Sequence, residues 1–165
     1  MKRVAARDSA ATRALGAQIA DALVKSGLSA PLLIGLSGEL GAGKTTLVGG
    51  LLAALGHVGP ARSPTYALVE SYRLAEYELH HCDLYRLRDP EEIEDLGLRD
   101  LMQPGSVLLV EWPERAGDRL RPPDLALRLS YDSRIAGAPG RVIEIEGVSE
   151  AGRRIANSLP VESKS

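Results

Sequence analysis

Three groups of residues in this chain could do chemistry. Gly38-Glu39-Leu40-Gly41-Ala42-Gly43-Lys44-Thr45 fits the pattern G-x-x-x-x-G-K-[ST]. Its glycines let the backbone wrap closely around a phosphate, so that several N–H groups converge on the anion, and a helix that begins there adds its partial positive charge. Lys44 would reach the β- and γ-phosphates of a nucleoside triphosphate, and the Thr45 hydroxyl would hold Mg²⁺. Such a loop needs a second metal partner, typically an acid at the end of an apolar strand. Val107-Leu108-Leu109-Val110-Glu111 supplies that pattern, with Glu in place of the commoner Asp.

The third group is His80-His81-Cys82-Asp83, four possible metal ligands in succession. In a strand these side chains alternate, so His81 and Asp83 share one face while His80 and Cys82 share the other. A closed zinc site wants about four converging N or S ligands, and His57 is the one histidine left to contribute. Zinc is therefore disfavoured. The stretch reads as a strand that delivers Asp83, with the histidines and Cys82 as strand filling or partner-facing surface.

Guanine-specific relatives of such loops carry an Asn-Lys-x-Asp motif, and the only asparagine here is Asn157, so ATP is preferred over GTP. Three reaction classes stay open: an ATPase, a small P-loop kinase and a nucleotide sensor that does not hydrolyse. A kinase would need arginines facing the transferred group. Arg115, Arg119 and Arg121, in the loop-like stretch 114–123, are candidates for that, for a docking surface, or for plain solvation.

The elements that must position these groups follow from pattern. Leu15, Ile19, Ala22 and Leu23 form the stripe of an amphipathic helix over 8–26, closed by Gly27. PLLIGLSG (31–38) and SVLLVEW (106–112) read as strands buried on both faces. Leu47, Leu51 and Leu55 predict a helix from Lys44 to Gly56. The stretches from Ser63 and Tyr77 predict an antiparallel pair, and DPEEIEDLGLRDLM (89–102) a helix with Asp89 as cap, Pro90 in its first turn and Glu92 closing a capping box. Alternation over 124–132 and 141–147 predicts two half-exposed strands, and a last helix is expected near 149–158. The whole is an α/β chain: a single P-loop NTPase-like domain over 1–158, three-layered, with a mixed, partly antiparallel central sheet flanked by helices, and a short polar tail over 159–165.

At 165 residues, 44% hydrophobic and 25% charged, the chain suits one globular domain. It has no apolar run of membrane-spanning length, and its basic start lacks the apolar core of a secretory signal, so a cytoplasmic location is expected. One cysteine agrees with a reducing compartment. A net charge of −2 gives no global attraction to nucleic acid.

GELGAGKTTL, SPTYALVE, HHCDLYRL with RDPEEIEDLGLRDL, and LLVEWPE occur in this order and at these separations. The sequence thereby resembles the bacterial TsaE family, also called YjeE, over about residues 10 to 155. The resemblance implies a small Mg²⁺-dependent ATPase needed, with its partners TsaD and TsaB, for making threonylcarbamoyladenosine beside the anticodon of tRNAs that read codons beginning with A. It implies a regulatory role, with tRNA met only through the complex, no membrane partner, and a monomer or weakly associating chain when alone. Carried over residue by residue, Gly41, Ala42, Gly43, Lys44, Thr45 and Thr46 would bind ATP, and Thr45 with Glu111 would serve Mg²⁺. Ser63 and Thr65 match a switch-like segment, although the residues alone are also compatible with a turn before a strand. Asp83 is expected to orient the attacking water or the metal shell, and Lys44, Asp83 and Glu111 form the expected catalytic set. Thr12 and Arg141 are expected near the adenine or phosphate end. The chain departs from the family at Cys82, where an aromatic is usual, and at Ala67, where Thr is frequent; neither replaces a phosphate or metal group.

Overall fold

The computed structural model describes residues 1–27, 29–61, 68–74, 77–132 and 140–159. A strand that the patterning above did not anticipate comes first: β1 (Lys2–Ala6), too short and too basic to show a clear alternation. Helix α1 (Ser9–Ser26) follows, its first turn capped by Asp8, whose Oδ1 accepts a hydrogen bond from the Ala11 N–H at 2.7 Å. It stops at Gly27 in the left-handed conformation. Strand β2 (Leu32–Gly38) leads through the glycine-rich loop into α2 (Lys44–Ala54). Strands β3 (Val69–Arg73) and β4 (Glu78–Asp83) form the expected antiparallel pair, Val69 opposite Cys82.

The helix expected over 89–102 is instead two short ones, α3 (Glu92–Asp95) and α4 (Leu98–Leu101), because Gly97 turns left-handed (φ 62°) between them. Its predicted start is nonetheless built: Glu92 Oε1 accepts from the Asp89 N–H at 3.0 Å, and Asp89 Oδ1 from the Glu91 N–H at 3.0 Å. Then come β5 (Ser106–Glu111), a 3-10 segment over Pro113–Arg119 where a loop was expected, β6 (Leu125–Asp132), β7 (Gly140–Gly147) and α5 (Glu150–Ser158).

Among the described residues, seven strands form one mixed sheet in the order β1-β7-β6-β2-β5-β4-β3. The central four are parallel: β2 pairs with both β5 and β6, and β5 with β4. The flanking pairs are antiparallel. Burial on both faces explains why β2 and β5 are continuous apolar runs, whereas β6 alternates buried Leu125, Leu127 and Leu129 with more exposed neighbours. The layers on the two faces are unequal. Residues of α1, α2 and α5 build the main core with Ile34, Leu36, Leu109 and Ile143, while the second core, around Leu33, Leu108 and Val110, is closed by the short helices, the 3-10 segment and the chain around them.

Two local devices hold this arrangement. Helices α1 and α2 meet through glycine: a methyl added at Gly16 would run into the Leu47 carbonyl oxygen, and one at Gly50 into that of Arg13. Asp124, just before β6, joins three segments. Its Oδ2 accepts from the Leu33 N–H at 2.8 Å and from the Arg121 guanidinium at 2.6 Å, while its carbonyl accepts from Val148 N–H at 2.8 Å. Burial alone would raise the Asp124 pKa, but the hydrogen bonds from Arg121, the Leu33 backbone and Ser149 outweigh it and hold the carboxyl below its ordinary range.

Gly16→Ala should therefore push the two helices apart and lower stability by about 1–3 kcal/mol in urea denaturation. Asp124→Asn should cost about 1–3 kcal/mol at pH 7. Because the folded-state pKa is depressed, that contribution is present above the unfolded value near about 3.9 and fades as pH falls through the folded one. The gap between wild type and Asp124→Asn, measured by the same denaturation at pH 7 and pH 3, should narrow at the lower pH.

Candidate functional site

The parallel strands β2, β5 and β4 end side by side, and their carboxyl ends carry the candidate residues. Strand β2 runs into the loop 38–43, and α2 starts at Lys44 from a left-handed Gly43 (φ 102°), a conformation that side chains other than glycine's rarely adopt. The register sets Asp83, at the end of β4, opposite Glu111, at the end of β5. Between them lies a cleft of about 200 Å³, lined among others by Gly41, Gly43, Lys44, Thr45, Asp83 and Glu111. Thr46 also lines it. Ala42 is fully buried beside it.

Lys44 is only 4% exposed. Its Nζ donates to the carbonyls of Gly38 (2.7 Å) and Glu39 (2.9 Å) and sits 4.2 Å from the centre of the Trp112 ring. Burial lowers its pKa from the ordinary lysine value; the carboxylates of Glu111, Asp83 and Glu114 work against that shift. Thr45 Oγ1 donates to Glu111 Oε1 at 2.9 Å, which joins the two predicted metal ligands directly. Asp83 Oδ1 accepts from the Tyr85 N–H at 2.9 Å, in a short turn that fixes the start of the next segment.

Trp112 follows Glu111 in the left-handed region (φ 59°), a conformation that costs a non-glycine residue about 1–2 kcal/mol. This turn swings its ring over the cleft, where Tyr85 packs at 5.2 Å and the Arg115 guanidinium lies 5.6 Å from Tyr85 and 6.0 Å from Trp112. Trp112 thus belongs to the wall of the cleft, lying only at the margin of the core.

Two residues expected at the nucleotide act on the loop itself. Arg141, on β7, donates from Nε to the Ala42 carbonyl and from a terminal nitrogen to the Gly41 carbonyl, both at 3.2 Å. Its guanidinium lies 5.2 Å from the ring of Tyr131, whose hydroxyl donates to the Leu40 carbonyl. These bonds tie the Gly41 and Ala42 carbonyls of the loop to β7. Thr12 is fully buried; its hydroxyl donates to the Asp8 carbonyl at 3.1 Å and its methyl faces Gly43. Ser63 and Thr65 lie outside the described residues.

The histidine pair separates as the alternation required. His80 and Ser71 Oγ share a hydrogen bond at 2.7 Å through Nδ1, and burial lowers the pKa of the imidazole against the opposing charge of Glu78. His81 turns to the other face and bonds through Nε2 to Glu111 Oε1 at 2.9 Å. Both are buried, as is Cys82, so none of the three offers a partner-facing surface. The link from His81 to Glu111 escaped the reading of the sequence; its signal was there in the shared parity of His81 and Asp83, but finding it needs the register between β4 and β5. Arg119 pairs with Glu91 (3.4 Å) and Glu94 (3.8 Å), and Arg121 with Asp124. Both line a separate hollow of about 610 Å³ beside α3 and α4, away from the loop.

Burial first, then the charges of Asp83 and Glu111, push the Cys82 thiol up to about 12. At pH 8 its thiolate population is on the order of a thousandfold below that of a free cysteine. Thiol-directed alkylation should leave the native chain unmodified and label one site per chain once urea unfolds it.

Comparison with known proteins agrees with this arrangement. Residues 6–138 match the family described as Threonylcarbamoyl adenosine biosynthesis protein TsaE. The tRNA threonylcarbamoyladenosine biosynthesis protein TsaE of Haemophilus influenzae is 43% identical over 116 residues, covering 70% of this chain and 73% of that one. Its namesake in Borreliella burgdorferi is 39% identical over 122 residues, 71% of this chain and 85% of that one. The crystal structure of Bacillus subtilis YdiB superposes with a TM-score of 0.66 at 23% identity, covering 94% of this chain and 90% of that one, a likeness of fold. With a P-loop NTPase-like sheet, a glycine-rich loop and a family match over most of its length, this chain belongs to the TsaE family of tRNA threonylcarbamoyladenosine biosynthesis proteins.

Proposed function

We propose that the chain is a slow, partner-dependent Mg²⁺-ATPase that regulates threonylcarbamoyl modification of tRNA without transferring the group itself. The observation that carries this reading is the 2.9 Å bond between Thr45 Oγ1 and Glu111 Oε1, at the mouth of a loop whose lysine is already within the cleft. The donor set fits MgATP: a hydroxyl and a carboxylate are the hard oxygen ligands Mg²⁺ takes, and the left-handed glycines open a backbone cradle for phosphate. When bound, the ion supplies neutralisation of charge on the β- and γ-phosphate oxygens.

The chain's own residues do the rest. Lys44 exchanges its bonds to the Gly38 and Glu39 carbonyls for bonds to phosphate oxygens, a move that its position in the loop makes short. Thr45 and Glu111 would hold the ion. Asp83, beside Glu111 on the neighbouring strand, orients the attacking water. Ser63 and Thr65 read the γ-phosphate, and together with Asp83 they set a surface that binds TsaD and TsaB until hydrolysis releases it. Arg141 and Thr12 shape the loop that receives ATP. The protein works in the cytoplasm and meets tRNA through that complex.

A small-molecule kinase is the rival: of its three candidate arginines, Arg119 and Arg121 are committed to carboxylates around the other hollow, while Arg115 stands beside Tyr85 and Trp112 at the cleft. Lys44→Ala and Thr45→Ala should each lower ATP hydrolysis, measured with TsaD and TsaB present, by about 100-fold or more. Glu111→Ala should raise the Mg²⁺ concentration required. Wild-type rates in these variants would refute the ATPase assignment, and labelled γ-phosphate appearing on a small acceptor in place of free phosphate would favour the kinase. ATP-dependent recovery of TsaD and TsaB with the tagged protein tests the partners.

A further inference from the structure

We infer that His81 is a positioning residue for the metal site: it anchors Glu111 from behind through the Nε2 hydrogen bond and so sets how tightly the site takes a divalent cation. The inference rests on the reading of Thr45 and Glu111 as metal ligands.

Glu111 has one more rotatable bond than the aspartate usual at such a position, and a ligand free to turn about it holds a cation loosely. Two donors remove that freedom here, and both act on the same oxygen: Thr45 Oγ1 and His81 Nε2 each lie 2.9 Å from Oε1. They are not equivalent. Thr45 lines the cleft and is itself a candidate ligand, so its geometry changes with occupancy. His81 is fully buried on β4, does not line the cleft, and reaches Glu111 diagonally across the strand pair from its own partner Leu109. With Oε1 secured by a group that stays in place, Oε2 is the oxygen left for a ligand.

The rest of the His81 environment agrees with this role. An ionised carboxylate only accepts hydrogen bonds, so Nε2 must carry the proton, and in the neutral ring Nδ1 is then a bare acceptor. Nδ1 is buried and finds no hydrogen-bond partner among the described residues. A buried polar atom left without a partner costs folding free energy. An apolar side chain at the same place would avoid that cost, which makes the Glu111 contact the feature that distinguishes histidine there.

The test measures Mn²⁺ affinity by its paramagnetic resonance signal, with the protein alone and a non-hydrolysable ATP analogue, next to binding of the same analogue without metal. His81→Leu and His81→Asn, neither of which can reach Oε1, should weaken Mn²⁺ binding about 10- to 100-fold while metal-free nucleotide binding stays at the wild-type level. His81→Gln, whose amide N–H can take the place of Nε2, should restore affinity to within about threefold. Wild-type Mn²⁺ affinity in whichever of the Leu and Asn variants folds would overturn the inference, as would equal weakness in the Gln variant, which would mark the effect as packing. Either of those results leaves the ATPase reading standing. A wild-type protein that binds the analogue with no gain from Mn²⁺ would refute the metal site itself and the role of His81 with it.

Discussion

The burial of one carboxylate organises this molecule. Glu111 is 3% exposed at the end of strand β5, and a charge in that position costs several kcal/mol unless donors and opposite charge surround it. The fold supplies both from three directions: a hydroxyl from the first turn of α2, an imidazole from β4 and the field of the Lys44 ammonium. Each supplier is fixed by something larger. Helix α2 is held by its glycine contacts with α1, β4 by its parallel register with β5, and the loop that presents Lys44 by Arg141. The loop, the sheet and the helix pair thus converge on one buried carboxyl group.

That support is lopsided. On one face of the sheet three long helices bury a continuous core, and the close approach of α1 and α2 gives the loop a firm base. On the other face the chain between β4 and β5 and the 3-10 segment after β5 make a thinner cover around a smaller core, beside the larger hollow. The segments leaving Asp83 and Glu111 both belong to that thinner cover, so the carboxyl end of the parallel strands is joined to the side with the smaller core.

Much of this was legible in the residues. The glycine-rich loop, the two buried strands beside it and the acid at the end of β5 follow from composition and order, because parallel strands buried on both faces must be apolar throughout. The split of His80 from His81 followed from alternation alone. What the sequence did not reveal depends on register or on distance along the chain. Strand β1 owes its place to pairing with β7, more than a hundred residues away, and its own five residues carry little pattern. The helix over 89–102 has a proper start, but Gly97 breaks it, and an isolated glycine within a helical pattern does not announce which way it will act. The Arg141 contacts with the loop's carbonyls and the His81 contact with Glu111 are not legible in the residues, because neither is local in sequence.

Trp112 gives the chain a further property. It is the only tryptophan of the 165 residues, and the left-handed turn after β5 lays its indole directly against Nζ of Lys44 and beside Tyr85. Any event that draws the ammonium off the ring changes the polarity around the sole indole chromophore. The sole indole of the chain thus shares its surroundings among the Lys44 ammonium, the Arg115 guanidinium and Tyr85, three neighbours within the cleft wall.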